Sequence, residues 1–123
     1  MARLYRVIIP VLDIEDAETF YSAIFGEPGK RVSPERHYFD CEGTIFACFA
    51  PMLFKEWDEF KPNPDHVYLA VDDLDDYFTR CTSAGAKVLA ETQAYPWGET
   101  AFYVEDPSGN KLCFVDRSTM FTG

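Results

Sequence analysis

The sequence has no apolar run approaching the ~20 residues of a membrane-spanning helix. It is also short of positive charge: 11 Lys and Arg stand against 21 Asp and Glu, a formal net charge of −10. The first absence points away from a membrane. The second points away from nucleic acid, whose phosphates require a basic face. Cysteine is sparse: Cys41, Cys48, Cys81 and Cys113 show no CxxC spacing and no dense framework, so reduced thiols are expected. Pro10 breaks the first apolar stretch and the first acidic residue comes at Asp13, which is unlike a signal peptide, so a cytoplasmic location is expected. No nucleophile elbow, phosphate loop, dinucleotide fingerprint or low-complexity tract is present. The acidic balance is compatible with a cationic ligand, and more commonly it only keeps a soluble domain dispersed.

What is there is a pattern stated twice. Arg6-Val7-Ile8-Ile9-Pro10-Val11 leads to Asp13-Ile14, and His66-Val67-Tyr68-Leu69-Ala70-Val71 leads to Asp73-Leu74. Each time a strand-like run is followed by an acidic N-cap and a helix that stops at a glycine, Gly26 or Gly85. A repeat of this length implies two similar supersecondary units with a cleft where they meet. With 123 residues, 47% of them hydrophobic, the chain reads as one domain, residues 1–123, with repeat units 4–50 and 65–116 joined by a linker over 51–64.

The spacing of Ile14, Ala17, Phe20, Tyr21, Ile24 and Phe25 predicts a helix over 14–25, and Leu74, Tyr77, Phe78, Cys81 and Ala84 predict one over 74–84. Strands are expected at 5–11, 29–33, 36–41 and 44–50, with Glu42-Gly43 as a hairpin turn, and again at 66–71, 87–89, 100–105 and 111–115. Asp106-Pro107-Ser108-Gly109-Asn110 is a turn in which proline fixes one φ and Gly or Asn accepts a positive one. The linker carries Met52, Leu53, Phe54, Trp57 and Phe60, apolar enough to require something to pack against.

Two βαβββ units, the second closing on Asp106-Pro107-Ser108-Gly109-Asn110 and a strand, resemble the vicinal oxygen chelate superfamily of glyoxalase I, extradiol dioxygenases and fosfomycin- and bleomycin-resistance proteins. The most specific pieces are Asp13-Ile14 through Phe20-Tyr21, and Trp97-Gly98 through Asn110. The resemblance implies an α+β fold, in which the two βαβββ repeats form a curved mixed eight-stranded sheet with helices on the outside, and it implies a symmetric homodimer. It also implies metal-ligand places on the first and last strand of each unit. Strand alternation maps these to Arg6, Cys48, His66 and Cys113, where the family's metalloenzymes carry His or Gln and Glu.

Of these only His66 is an ordinary ligand of the expected type. Arg6 is a permanent cation with no lone pair, and no carboxylate stands at these places. The expectation is therefore a cleft without metal or other cofactor. Cys48, His66 and Cys113 remain open as a soft Cys2His set for zinc or another divalent metal, against the reading that both cysteines fill apolar gaps. His66 is open between a hydrogen-bonded cleft histidine and an acid–base group. His37 is expected to be an exposed strand residue. Trp97 and Tyr103 either stack on a planar ligand or pack the core, and Glu99 stands beside them, with Phe54 and Trp57 placed to fold over.

The sequence thus points to a protein that binds an organic small molecule, planar or cationic. Arg6 and His66 would anchor an oxygen or carboxylate, and Tyr68, Trp97 and Tyr103 would shape the site. Two alternatives stand beside it. One is a metal-dependent lyase, isomerase or dioxygenase using His66. The other is a structural dimerising module whose cleft is filled by its own side chains.

Overall fold

A computed structural model describes residues 1–53 and 58–123, so the expected covering by Phe54 and Trp57 lies outside the described residues. The chain divides into two units, Met1–Pro64 and Asp65–Gly123. The first contains β1 (Arg6–Pro10), α1 (Ile14–Phe25), β2 (Lys30–Ser33), β3 (Arg36–Cys41) and β4 (Thr44–Phe49), followed by a 3-10 turn at Pro51–Leu53. The second contains β5 (Val67–Val71), α2 (Leu74–Ser83), β6 (Lys87–Ala94), β7 (Thr100–Glu105) and β8 (Lys111–Asp116), followed by a 3-10 turn at Arg117–Thr119. Among the described residues the eight strands of the two βαβββ repeats form two four-stranded mixed sheets, ordered β1-β4-β3-β2 and β5-β8-β7-β6. In each, the first strand pairs in parallel with the last, and the remaining pairings are antiparallel.

Both helices start for the same reason. Asp13 and Asp73 hold extended φ/ψ and accept from the backbone N–H of Asp16 (2.9 Å) and Asp76 (3.1 Å), with further carboxylates in the first turn at the positive end of the dipole. They end differently. Gly26 is itself the left-handed cap of α1. In α2 the cap is Ala84, and Gly85 follows at φ +92 so that its N–H reaches the Thr82 carbonyl and Ala86 N–H reaches Cys81. α1 packs on β3 and β4 through Tyr21, whose ring meets Phe46 at 4.7 Å, and Phe25, which meets Phe39 at 5.3 Å. α2 packs on β7 and β8 through Phe78 against Phe102 (5.2 Å) and Tyr77 against Phe114 (5.8 Å). One face of each sheet is thereby covered by its own helix, leaving a helix-free face.

His37 departs from expectation. It is 2% exposed and lies on the helix side of β3 beside Phe39 (5.1 Å). Its Nε2 hydrogen is donated to the Pro28 carbonyl (2.8 Å), and Nδ1 accepts from Arg31 Nε (3.4 Å), whose Nη2 is paired with Glu18 of α1 (2.8 Å). A buried imidazole is tolerated here because both ring nitrogens find partners.

Candidate functional site

The helix-free face of the second sheet is built by register. Tyr68 stands opposite Cys113, and Tyr103 opposite Cys113 from the other side, so β5, β8 and β7 present these three side chains in one row. Leu112, Phe114 and Phe102 lie on the α2 side, and His66, Tyr68 and Cys113 lie on the other. The hairpin between β6 and β7 adds two more rings. Tyr95 accepts Gly98 N–H at its carbonyl (3.0 Å) and donates its own N–H to Glu99 (2.8 Å), a tight turn with Pro96 second. That turn stacks Trp97 on Tyr95 at 4.9 Å and 17°, and Trp97 Nε1 donates to Glu99 Oε1 (3.0 Å).

The rings form a continuous row. His66 meets Tyr103 edge-on at 5.1 Å and Tyr68 at 6.3 Å, and Tyr103 meets Tyr95 at 5.7 Å. The base of the row is apolar: Ala101, Cys113 and Val115 are buried, with Tyr95 and Tyr103 packed against them. The ends are open, Tyr68 at 55% and Trp97 at 63% exposure. Gln93 Nε2 donates to the Tyr95 hydroxyl (2.9 Å), so the row is held at several points rather than left to swing. Sequence reasoning missed Tyr95. Its signal was the run Tyr95-Pro96-Trp97-Gly98, where a turn places two aromatics on one side.

Burial pushes the Tyr103 hydroxyl well above its ordinary range, and its hydrogen bonds to Tyr68 and Cys113 add to this. Burial likewise pushes the Cys113 thiol up to about 11, opposed by the Tyr103 hydrogen bond and aided by the Glu99 carboxylate. Cys113 is therefore a protonated thiol at neutral pH. Cys81, on the buried face of α2, is raised to about 12 by burial alone.

These shifts have a consequence for stability. A thiol whose folded pKa is raised is protonated in both states below the unfolded value. Above that value the unfolded chain releases its proton first. Stability should thus hold up to pH 9 and fall as pH rises toward about 11 to 12. At pH 10.5 the loss should be about 2 kcal/mol per thiol. Urea midpoints at pH 8 and pH 10.5 measure it, and the drop should narrow in Cys81→Ala. An identical drop in that variant contradicts the assignment.

The first unit corrects the reading of β4. Phe46 touches Tyr21 and Phe25 of α1, so it lies on the helix side. Cys48, two residues on and in register with Ile9 and His37, is on that same side and fully buried. The helix-free face of β4 carries Ile45, Ala47 and Phe49, so Cys48 is not at the place expected of it. By register the partner of Ile8 is Ala47, as the partner of Tyr68 is Cys113, so Ala47 occupies the place in the first unit that Cys113 holds in the second.

Arg6 does lie on the helix-free face. Its guanidinium sits 4.9 Å from the Tyr5 ring and 5.4 Å from the Tyr38 ring, with Nη2 donating to the Tyr5 hydroxyl (3.3 Å). That hydrogen bond raises its pKa further, against the opposing effect of burial. Among the described residues no three or more His, Cys, Asp or Glu side chains are grouped to hold a metal ion. The donor set expected for one does not fit: Arg6 offers no lone pair, and Cys48 faces α1.

The family model for the Glyoxalase/Bleomycin resistance protein/Dioxygenase superfamily matches residues 3–114. None of the curated proteins matches the chain. Several solved structures share the fold. A glyoxalase-related enzyme from Fulvimarina pelagi is 20% identical with a TM-score of 0.82, covering 100% of this chain and 94% of its own. A superfamily member from Sphaerobacter thermophilus is 24% identical with a TM-score of 0.70, covering 94% and 98%. A lactoylglutathione lyase from Agrobacterium tumefaciens is 22% identical with a TM-score of 0.71, covering 94% of each chain. Among the described residues no helix is long and apolar enough to cross a membrane.

Proposed function

We propose that this chain, which belongs to the Glyoxalase/Bleomycin resistance protein/Dioxygenase superfamily, binds a planar organic molecule, preferentially a cationic one, on the helix-free face of its second sheet. The observation that carries this reading is the row Tyr68, His66, Tyr103, Tyr95 and Trp97, five rings in contact with both ends exposed. Exposed tryptophan on an aromatic stack loses apolar surface to water, and a flat ligand recovers it by stacking. The ring faces carry negative potential and Glu99 stands beside Trp97, so a delocalised cation gains both stacking and charge attraction. Cys113 and Ala101 supply the apolar base, and the hydroxyls of Tyr68 and Tyr103 fix orientation.

The test uses N-methylquinolinium as the planar cation and 1-methylnaphthalene as its neutral counterpart. In a Trp57→Phe background the fluorescence comes from Trp97. Saturable quenching by the cation is expected, with affinity about tenfold weaker in Tyr68→Ala and in Tyr103→Ala. Equal affinity in both variants overturns the proposal. Stronger binding of the neutral compound removes the preference for a cation.

A further inference from the structure

We propose that the helix-free face of the first sheet is an anion-binding site, in which the guanidiniums of Arg6 and Arg36 bracket Tyr38 and receive a carboxylate or phosphate group. This inference concerns other residues and the opposite ligand charge from the aromatic row, and it stands independently of that reading.

It starts from how the arginines are partnered. The chain has 21 carboxylate residues, a large excess over its cations. Three arginines take them: Arg31 with Glu18 (2.8 Å), Arg80 with Asp76 (2.8 Å) and Arg117 with Asp72 (3.0 Å). Arg3 donates to the Gly43 carbonyl. Arg6 and Arg36 have no carboxylate partner among the described residues and are instead seated on aromatic rings. Arg36 lies over Phe49 at 4.5 Å and its Nη1 donates to the Tyr38 hydroxyl (3.0 Å). Arg6 lies over the Tyr5 and Tyr38 rings and donates to the Tyr5 hydroxyl. Tyr38 thus has one guanidinium on its ring and the other on its oxygen.

This seating does what an anion site requires. A guanidinium stacked by its flat face keeps N–H groups at its edge for a planar, bidentate acceptor. The rings and tyrosine hydroxyls restrict both side chains beforehand, so less rotamer freedom is lost when the anion arrives. The surface beneath is apolar: Ile8, Ala47 and Phe49 share this face by register, and Ala47 and Phe49 are buried. Low polarity there strengthens the attraction. The one carboxylate of β3 on the same face, Asp40, already accepts the Gly43 N–H of the hairpin (2.7 Å). In a chain of net charge −10, two cations that share Tyr38 and lack carboxylate partners among the described residues favour a ligand whose negative charge is local.

The test uses the full chain and reads the arginine Nε–H resonances by NMR while sodium benzoate, inorganic phosphate or neutral benzamide is added at constant ionic strength. Saturable shifts of Arg6 and Arg36 with benzoate or phosphate are expected, with Arg117 unmoved and benzamide without effect. Benzoate alone identifies a carboxylate ligand, phosphate alone a phosphoryl ligand, and both a general anion site. Arg6→Gln and Arg36→Gln should each weaken binding about tenfold, and Tyr38→Phe severalfold, with backbone amide spectra unchanged away from the substitution. Shifts that do not saturate, that Arg117 shares, or that persist with equal affinity in both glutamine variants overturn the site. That failure leaves the Trp97 quenching assay unaffected.

Discussion

Asp106→Ala is expected to lower the free energy of unfolding by about 4 kcal/mol. The carboxylate is 5% exposed and organises the turn between β7 and β8. Oδ1 accepts from Ser108 N–H (2.9 Å) and Asn110 N–H (2.8 Å), and Oδ2 accepts from Asn110 Nδ2 (2.9 Å). Asn110 is fully buried, so alanine at 106 takes an acceptor from two of its N–H groups where water cannot replace it. Asp106→Asn keeps one acceptor oxygen for the backbone donors and should cost about half as much. Urea unfolding of the two variants checks the order. Equal stabilities would show that the turn is held by Pro107 and Gly109 rather than by the carboxylate. Because β8 carries Cys113 at the base of the aromatic row, the loss should also register as weaker ligand binding near the midpoint of unfolding.

Gly29→Ala is expected to cost about 3 kcal/mol, from two sources. Gly29 has φ +63, where a β-carbon is strained, and that carbon would lie 2.7 Å from His37 Nε2 and 2.7 Å from Phe39 Cε1. Neither neighbour can yield easily. His37 is bonded to Pro28 and Arg31, and Phe39 is wedged against Phe25. Gly98→Ala is the control: it also has positive φ (+102), but a β-carbon there meets nothing within 4 Å, so only backbone strain applies. The measurement is the difference in urea midpoint between the two variants. If Gly29→Ala is no worse than Gly98→Ala, the close packing around His37 is not rigid.

The elements that could be read from the sequence were those with local, redundant signals. α1 was expected at 14–25 and occupies Ile14–Phe25, because Asp13 marks its start, Gly26 its end, and the apolar spacing between them fits only a helix. The faces of β5 and β8 were legible because His66 and Tyr68 alternate with Val67 and Leu69. β4 gave no such contrast. Residues 45–50 are apolar throughout and its inner positions are buried on both faces, so alternation had nothing to distinguish, and Cys48 was placed on the wrong side. β6 was expected at 87–89 and runs Lys87–Ala94, because its outer half, Glu91-Thr92-Gln93, is an exposed edge without apolar periodicity. His37 looked like a surface residue because its partners, Pro28 and Arg31, are supplied by the turn and neighbouring strand that precede it. Arg36 and Tyr38 were missed for a related reason: only the pairing of β3 with β4 puts them on the face that Arg6 shares.

The claim on which this account rests is that the aromatic row of the second unit is where a small molecule binds. The Trp97 indole N–H is its most direct reporter, since it donates to Glu99 at 3.0 Å and sits at the exposed end of the row. Two-dimensional NMR of the full chain during an N-methylquinolinium titration tests the claim. The account predicts saturable shifts of the Trp97 indole and of the His66, Tyr68 and Tyr103 ring signals, all fitting one dissociation constant. Saturable shifts confined to residues outside this face, or no saturable shift at Trp97, would contradict it.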